Sequence, residues 1–254
     1  MDLFPDTQLD RRVSCSTAAC AVSTQVAFER LHALEQAGAD GREILLHAIR
    51  DVLPSRIATV SSFGAESVVL LSLIAEIDPS LPVIFLETGK HFPETLAYRD
   101  ELTARLGLTD VRSVAPRMQA VVDQDPTGEL WYFDSDACCT LRKVQPLEHA
   151  LAPFDAWISG RKRFQSATRT ALPFVERDGD RIKLNPIADW NSAQVQAEMK
   201  LRGLPAHPLV ERGFASIGCA VCTRSVAAGE DARSGRWAGL SKVECGIHRA
   251  SAGA

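Results

Sequence analysis

The stretch Arg56-Ile57-Ala58-Thr59-Val60-Ser61-Ser62-Phe63-Gly64-Ala65-Glu66-Ser67-Val68-Val69-Leu70-Leu71-Ser72-Leu73-Ile74-Ala75-Glu76-Ile77 decides the fold. Arg56 to Ser61 is a short apolar run rich in β-branched residues, which reads as a buried strand. Glu66 to Ile77 carries Val68, Val69, Leu70, Leu71, Leu73 and Ile74, and reads as a largely buried helix. Between them Ser62-Phe63-Gly64-Ala65 turns the chain through small residues. A strand, such a loop and a helix N-terminus make an anion cradle, because free backbone N–H groups and the helix dipole converge on one spot. An ordinary strand-to-helix turn has the same outline, and one glycine does not separate the two.

Working outward, Val22 to Gln36 suits a helix ended by Gly38, and Gly41 to Val52 a second one closed by Pro54. Downstream, Pro82 to Leu86 reads as a strand ending in the polar run Glu87-Thr88-Gly89-Lys90-His91-Phe92. Pro93 opens a helix to about Leu106, and Asp110 to Val114 is a third strand. Residues 123–136 are polar and turn-rich. They lead into a helix bearing Cys138, Cys139, Leu141, Val144 and Leu147, with a kink expected at Pro146. A fourth strand, Asp155 to Ser159, runs into the cationic loop Gly160-Arg161-Lys162-Arg163-Phe164-Gln165-Ser166-Ala167-Thr168-Arg169. Asp178-Gly179 signals a hairpin, and Asn191 caps a helix to Gly203. Strands alternating with helices predict an α/β fold with a mostly parallel sheet, which binds ligands at the carboxyl ends of its strands.

The chain has 254 residues, 46% hydrophobic and 24% charged, enough for one sizeable α/β domain. A net charge of −4 argues against a general nucleic-acid binder but leaves room for a local basic pocket. The start Met1-Asp2-Leu3-Phe4-Pro5-Asp6 lacks the pattern of a secretory signal, and no apolar run is long enough to span a bilayer. A cytoplasmic protein is expected, with a domain over 1–227, its residues 1–20 poorly ordered, and a mobile tail over 228–254.

Seven cysteines remain to be explained. Cys219-x-x-Cys222 presents two thiols, and Gly218 eases the turn. Cys138-Cys139 supplies two more, followed by Arg142 and Lys143. Spacing alone leaves structural zinc, a redox dithiol and iron–sulfur open. Cys15 and Cys20 lack partner residues and read as incidental thiols. Cys245 stands alone near the end beside His248 and basic residues, which suits either a poised nucleophile or an idle thiol.

Taken together, Ser61-Ser62-Phe63-Gly64-Ala65-Glu66, Leu86-Glu87-Thr88-Gly89, the Arg161-to-Arg169 loop, Cys138-Cys139…Cys219-x-x-Cys222 and Glu244-Cys245-Gly246-Ile247-His248 resemble the sulfonucleotide reductases, over roughly residues 40–250. The last two motifs look like the iron–sulfur, adenylyl-sulfate branch of that family. The resemblance implies a Rossmann-like adenine-nucleotide fold related to ATP pyrophosphatases. It implies a [4Fe-4S] cluster on Cys138, Cys139, Cys219 and Cys222, and Cys245 as the nucleophile that takes the sulfo group from adenylyl sulfate (APS). It further implies thioredoxin or glutaredoxin as reductant, in sulfate assimilation and cysteine biosynthesis. A homo-oligomer is compatible with the pattern. Substrate contacts are expected from Ser62, Phe63, Gly64, Ala65, Glu66 and Ser67, and from Leu86, Glu87, Thr88 and Lys143. Arg161, Lys162, Arg163, Gln165 and Arg169 of the basic loop join them, with Arg233, Arg236 and His248 from the tail. The cluster turn reads Cys-Ala-Val-Cys where the family commonly has Pro before the second Cys, Ser67 stands where many relatives have Asp, and Glu87 where Asp is frequent. The alternatives are a phosphoadenylyl-sulfate (PAPS) reductase, an ATP pyrophosphatase, or a non-catalytic zinc- or nucleotide-binding module. The pyrophosphatases expect paired glycines at the cradle, which Ser62-Phe63-Gly64-Ala65-Glu66-Ser67 lacks.

Overall fold

Six short strands form one sheet: β1 (Ile57–Val60), β2 (Val83–Leu86), β3 (Val111–Val114), β4 (Ala156–Ile158), β5 (Val175–Asp178) and β6 (Arg181–Leu184). Their order is β3-β2-β1-β4-β6-β5. Every neighbouring pair is parallel except β5 and β6, which form the antiparallel hairpin expected at Asp178-Gly179. The fold is α/β with a mostly parallel sheet. The computed structural model describes residues 22–248 apart from 228, 240, 241 and 243. Cys15, Cys20 and the disorder expected for 1–20 lie outside the described residues.

The helices are α1 (Thr24–Gln36), α2 (Gly41–His47), α3 (Ser67–Ile77), α4 (Pro93–Leu106), α5 (Met118–Gln124), α6 (Leu130–Phe133), α7 (Ser135–Cys139), α8 (Gln145–Leu151) and α9 (Ser192–Leu201). Local chemistry sets their ends. Asp40 and Glu43 form a reciprocal capping box on α2, and Asn191 and Gln194 form another on α9. Pro93 opens α4, and Gly107 closes it in the left-handed conformation at φ 64°. The kink expected at Pro146 is instead a π-turn at Thr140–Val144, after which Pro146 sits in the first turn of α8, where a missing N–H costs nothing.

Strand residues alternate between two faces. Ile57 of β1, with Leu70, Leu73 and Ile74 of α3, packs against α1 and α2. Val83 and Phe85 of β2 lie on Tyr98 and Leu102 of α4 and Val195 and Met199 of α9. The intervening residues Ala58, Ile84, Leu86 and Trp157 meet Leu147 and Leu151 of α8 on the opposite face. α3 is therefore buried along most of its length, as its unbroken apolar run requires. The strand order reverses between β1 and β4, which opens a crevice at their carboxyl ends. The described residues of the C-terminal segment pack against the body. Thr223 bridges Arg236, Trp237 is buried, and Gly246–His248 forms a short 3-10 turn.

Candidate functional site

The crevice is a cavity of about 370 Å³. Its floor is the loop after β1. There Ser61 Oγ accepts from the Phe63 amide at 3.1 Å, and Ser67 Oγ donates to the Gly64 carbonyl at 2.8 Å. Phe63 takes a positive φ of 48° and turns its ring into the core against Phe85. Ser62, Gly64, Ala65, Glu66 and Ser67 thereby face the cavity, and Phe63 does not. Leu86 lines it from β2. Glu87 instead accepts from the Gly89 amide at 2.8 Å, and Thr88 is buried with its hydroxyl 3.4 Å from Cys219 Sγ.

Arg161, Lys162, Gln165 and Arg169 line the wall after β4. Arg163 turns away, donating to the Leu172 carbonyl at 2.9 Å with its guanidinium over the Phe174 ring. Most of these cations already have partners. Arg161 bonds Asn185 Oδ1 at 3.1 Å and pairs with Glu176, and burial pulls its pKa down to about 10. Lys162 lies 3.0 Å from Glu66, with burial lowering its pKa too. Arg169 forks onto Glu244 at 2.6 and 2.7 Å.

The C-terminal segment closes the cavity with Arg233, Arg236, Glu244, Cys245 and His248. A Cβ on Gly218 would stand 2.2 Å from Arg236 Nη2, so the glycine gives that guanidinium its place. Arg236 also stacks over Trp237 at 4.6 Å. Cys245 is held well below the ordinary thiol range, first by the hydrogen bond from Cys139 and then by Lys143, the Ile247 amide and Arg236, all against burial. Burial works against the Lys143 ammonium, yet the Cys245, Cys219 and Cys139 sulfurs outweigh it and push its pKa up. His248 stacks on Trp157 at 6.0 Å and is kept neutral by burial and by Lys183 and Arg161.

A second, small cavity is bordered by Cys138, Cys139, Cys219 and Cys222 together with Thr88, Arg142 and Lys143. Cys138 and Cys139 end α7, and Cys222 sits in the 3-10 turn Ala220–Cys222, which the Ala220 amide ties to the Lys90 carbonyl at 2.7 Å. Arg142 is buried between Asp125 at 2.6 Å and the Thr88 carbonyl at 2.8 Å. Burial, with the charges of Cys219 and Cys222, pushes the Cys138 thiol up, and burial with Cys219 does the same to Cys222. Among the described residues no group of three or more His, Cys, Asp or Glu side chains is arranged to hold a single metal ion.

Sequence reasoning missed His91, Ser159 and Glu244 on the cavity wall. His91 Nε2 donates to the Leu86 carbonyl at 2.9 Å, a contact that its place in the polar run after β2 hinted at. Ser159 ends the β4 stretch, where the ligand-bearing edge of the sheet was expected. Glu244 is the acidic neighbour of the expected nucleophile.

Residues 56–225 match the model of the phosphoadenosine phosphosulfate reductase domain. The chain belongs to the phosphoadenosine phosphosulfate reductase family. It is 54% identical over 206 residues to the adenosine 5'-phosphosulfate reductase of Mesorhizobium japonicum, covering 81% of each chain. It is 44% identical over 210 residues to the phosphoadenosine 5'-phosphosulfate reductase of Gloeobacter violaceus, covering 81% of this chain and 87% of that one. Among solved structures, the PAPS reductase of Candida auris in its phosphate complex superposes with a TM-score of 0.65 at 25% identity, over 78% of this chain and 97% of that one. The matched residues take in the strand–loop–helix unit, both cysteine pairs and the basic loop, while Arg233, Arg236, Glu244, Cys245 and His248 of the crevice lie beyond them. No helix among the described residues is long and apolar enough to cross a membrane.

Proposed function

We propose that the protein reduces adenylyl sulfate to sulfite and AMP in sulfate assimilation, supplying cysteine biosynthesis. The observation that carries this reading is the seat of Cys245: a thiol on the wall of a nucleotide-sized crevice whose lining also holds Lys143 and Arg236. The loop Ser62–Ser67, which leads into the N-terminus of α3 on the floor of the crevice, suits the nucleotide's anionic part. Arg236, Arg233 and Lys143 offset the negative charge that a thiolate meets when it approaches a phosphosulfate.

In the first step Cys245 Sγ attacks the sulfate sulfur, the bond from that sulfur to the phosphate oxygen breaks, and AMP leaves with the electron pair. Cys245 is left as S-sulfocysteine. A dithiol reductant then attacks Cys245 Sγ and sulfite leaves; the reductant's second thiol resolves the mixed disulfide, so two electrons come from the dithiol. Thioredoxin or glutaredoxin would supply that dithiol.

The four thiols around the second cavity fit a [4Fe-4S] group. Burial and the neighbouring sulfurs push the Cys138 and Cys222 thiols up, a condition that a cationic iron core would relieve. Cys138, Cys139, Cys219 and Cys222 would hold it, and it would supply a fixed local charge next to the anion site rather than carry the electrons. Lys143 borders both cavities and links them electrostatically.

The test is kcat/KM for adenylyl sulfate against PAPS, with thioredoxin as reductant and anaerobically purified protein. The reading predicts a ratio favouring adenylyl sulfate. Burying an additional 3′-phosphate without cations of its own is costly, and Arg161, Lys162 and Arg169 are already paired. A ratio favouring PAPS, the substrate named for the Gloeobacter relative, would overturn the substrate assignment.

A further inference from the structure

The residue before the nucleophile has an unusual position. Glu244 carries a negative charge into a cavity whose other charged walls are mainly cationic. Its two oxygens accept from Arg169 Nε at 2.6 Å and Nη2 at 2.7 Å, a bidentate fork, and Arg233 lies 3.6 Å away. The Arg169 side chain is 6% exposed and Glu244 15%, so solvent screens the pair little. Arg169 in turn donates from Nη1 to Gln165 at 2.6 Å. Gln165 donates to Glu66 at 2.9 Å, and Glu66 pairs with Lys162 at 3.0 Å. A continuous run of side chains thus joins the floor of the crevice to the peptide bearing Cys245. On the other side of the segment, Lys242 is tied to the Ser135 carbonyl at 3.0 Å and to Asp136 at 2.6 Å. Cys245 hangs between these anchors.

We propose that Glu244 is a positioning residue: its carboxylate, forked on Arg169, latches the C-terminal segment so that Cys245 is seated over the nucleotide crevice. The proposal rests on reading Cys245 as the nucleophile. A thiol on a terminal segment reacts quickly only when it is held near the atom it attacks, and a fork on a buried arginine fixes both distance and orientation. Glu244 thereby acts through Cys245 and need not touch substrate.

Two readouts test it in Glu244→Gln, which keeps the shape and removes the charge. The first is alkylation of Cys245 by iodoacetamide without nucleotide, followed on the tryptic peptide 243–249. Loss of the latch exposes Cys245, and the rate rises at least about tenfold. Arg169→Lys, which keeps the charge but loses the fork, gives a similar rise. Combining the two substitutions adds little further, because both break one contact. The second is a single turnover with adenylyl sulfate and no reductant: sulfo transfer to Cys245 slows by about 10- to 100-fold while the Kd for AMP stays within about twofold. Alkylation at the wild-type rate overturns the proposal. So does AMP binding tightened about tenfold with transfer intact, since that result makes Glu244 a mere occupant of the anion site. If wild-type protein forms no adduct at all, the reading of Cys245 as nucleophile fails, and the alkylation comparison still decides the latch.

Discussion

At the scale of single residues, the site divides its work between sulfur and guanidinium groups. Cys245 lines the nucleotide crevice and is not one of the four thiols assigned to the iron group. Cys245→Ser is therefore expected to keep wild-type iron and sulfide while releasing no sulfite, read by metal analysis and a sulfite assay on the same sample. Iron lost along with activity would contradict the separation of roles. Gly218→Ala makes a different point. Its new Cβ would collide with the Arg236 guanidinium, the far end of a flexible side chain, so the fold survives and the arginine is displaced. AMP affinity should fall by about 10- to 100-fold, the worth of one charge-assisted contact, as measured by calorimetry. Undiminished affinity would remove Arg236 from the anion site.

At the scale of elements, the strands, the long helices and the hairpin were legible because each carries a periodic or capped signature. Residues 123–136 were not. α6 is one turn long, and its rings in Trp131, Tyr132 and Phe133 pack on one another, which no apolar periodicity announces. The floor of the crevice was legible in the loop after β1, but the inward turn of Phe63 was not, since it depends on a positive φ that a sequence pattern does not reveal. That the cations of the 161–169 loop already hold partners was equally hidden. Glu176 and Glu244 come from β5 and the C-terminal segment, far away in the chain.

The connection after α9 offers a pH test. His207 Nδ1 accepts from the Leu209 amide at 3.1 Å, and its ring packs on Tyr98 of α4. Burial holds its pKa down to about 4, from 6.5. The unfolded chain thus binds the proton more readily between those two values. Stability from this site is complete above about pH 6.5 and is lost as pH falls towards about 4, on the order of 3 kcal/mol at the limit. Urea unfolding at about pH 7.5 and about pH 4.5 should show His207→Gln losing less stability on acidification than wild type. Equal losses would mean the ring is not held neutral.

At the scale of the whole molecule, the sheet's switch point, the basic loop and the C-terminal segment converge on one crevice, and the two cysteine pairs meet beside it. They are separated by roughly 80 residues of chain, and α7 and the turn at Ala220–Cys222 bring them together on the lining of the second cavity. Cys139→Ser should lose iron, sulfide and the brown absorbance together; full retention of iron would dismiss Cys139 as a ligand. The central claim is that Cys245 itself takes the sulfo group. It is tested most directly by incubating wild-type protein with adenylyl sulfate in the absence of any dithiol and mapping the tryptic peptides by mass spectrometry. The account predicts one added SO3 on the peptide 243–249, with AMP released in equal amount. An SO3 group on a peptide bearing Cys15 or Cys20, or AMP release with no adduct anywhere, would contradict it.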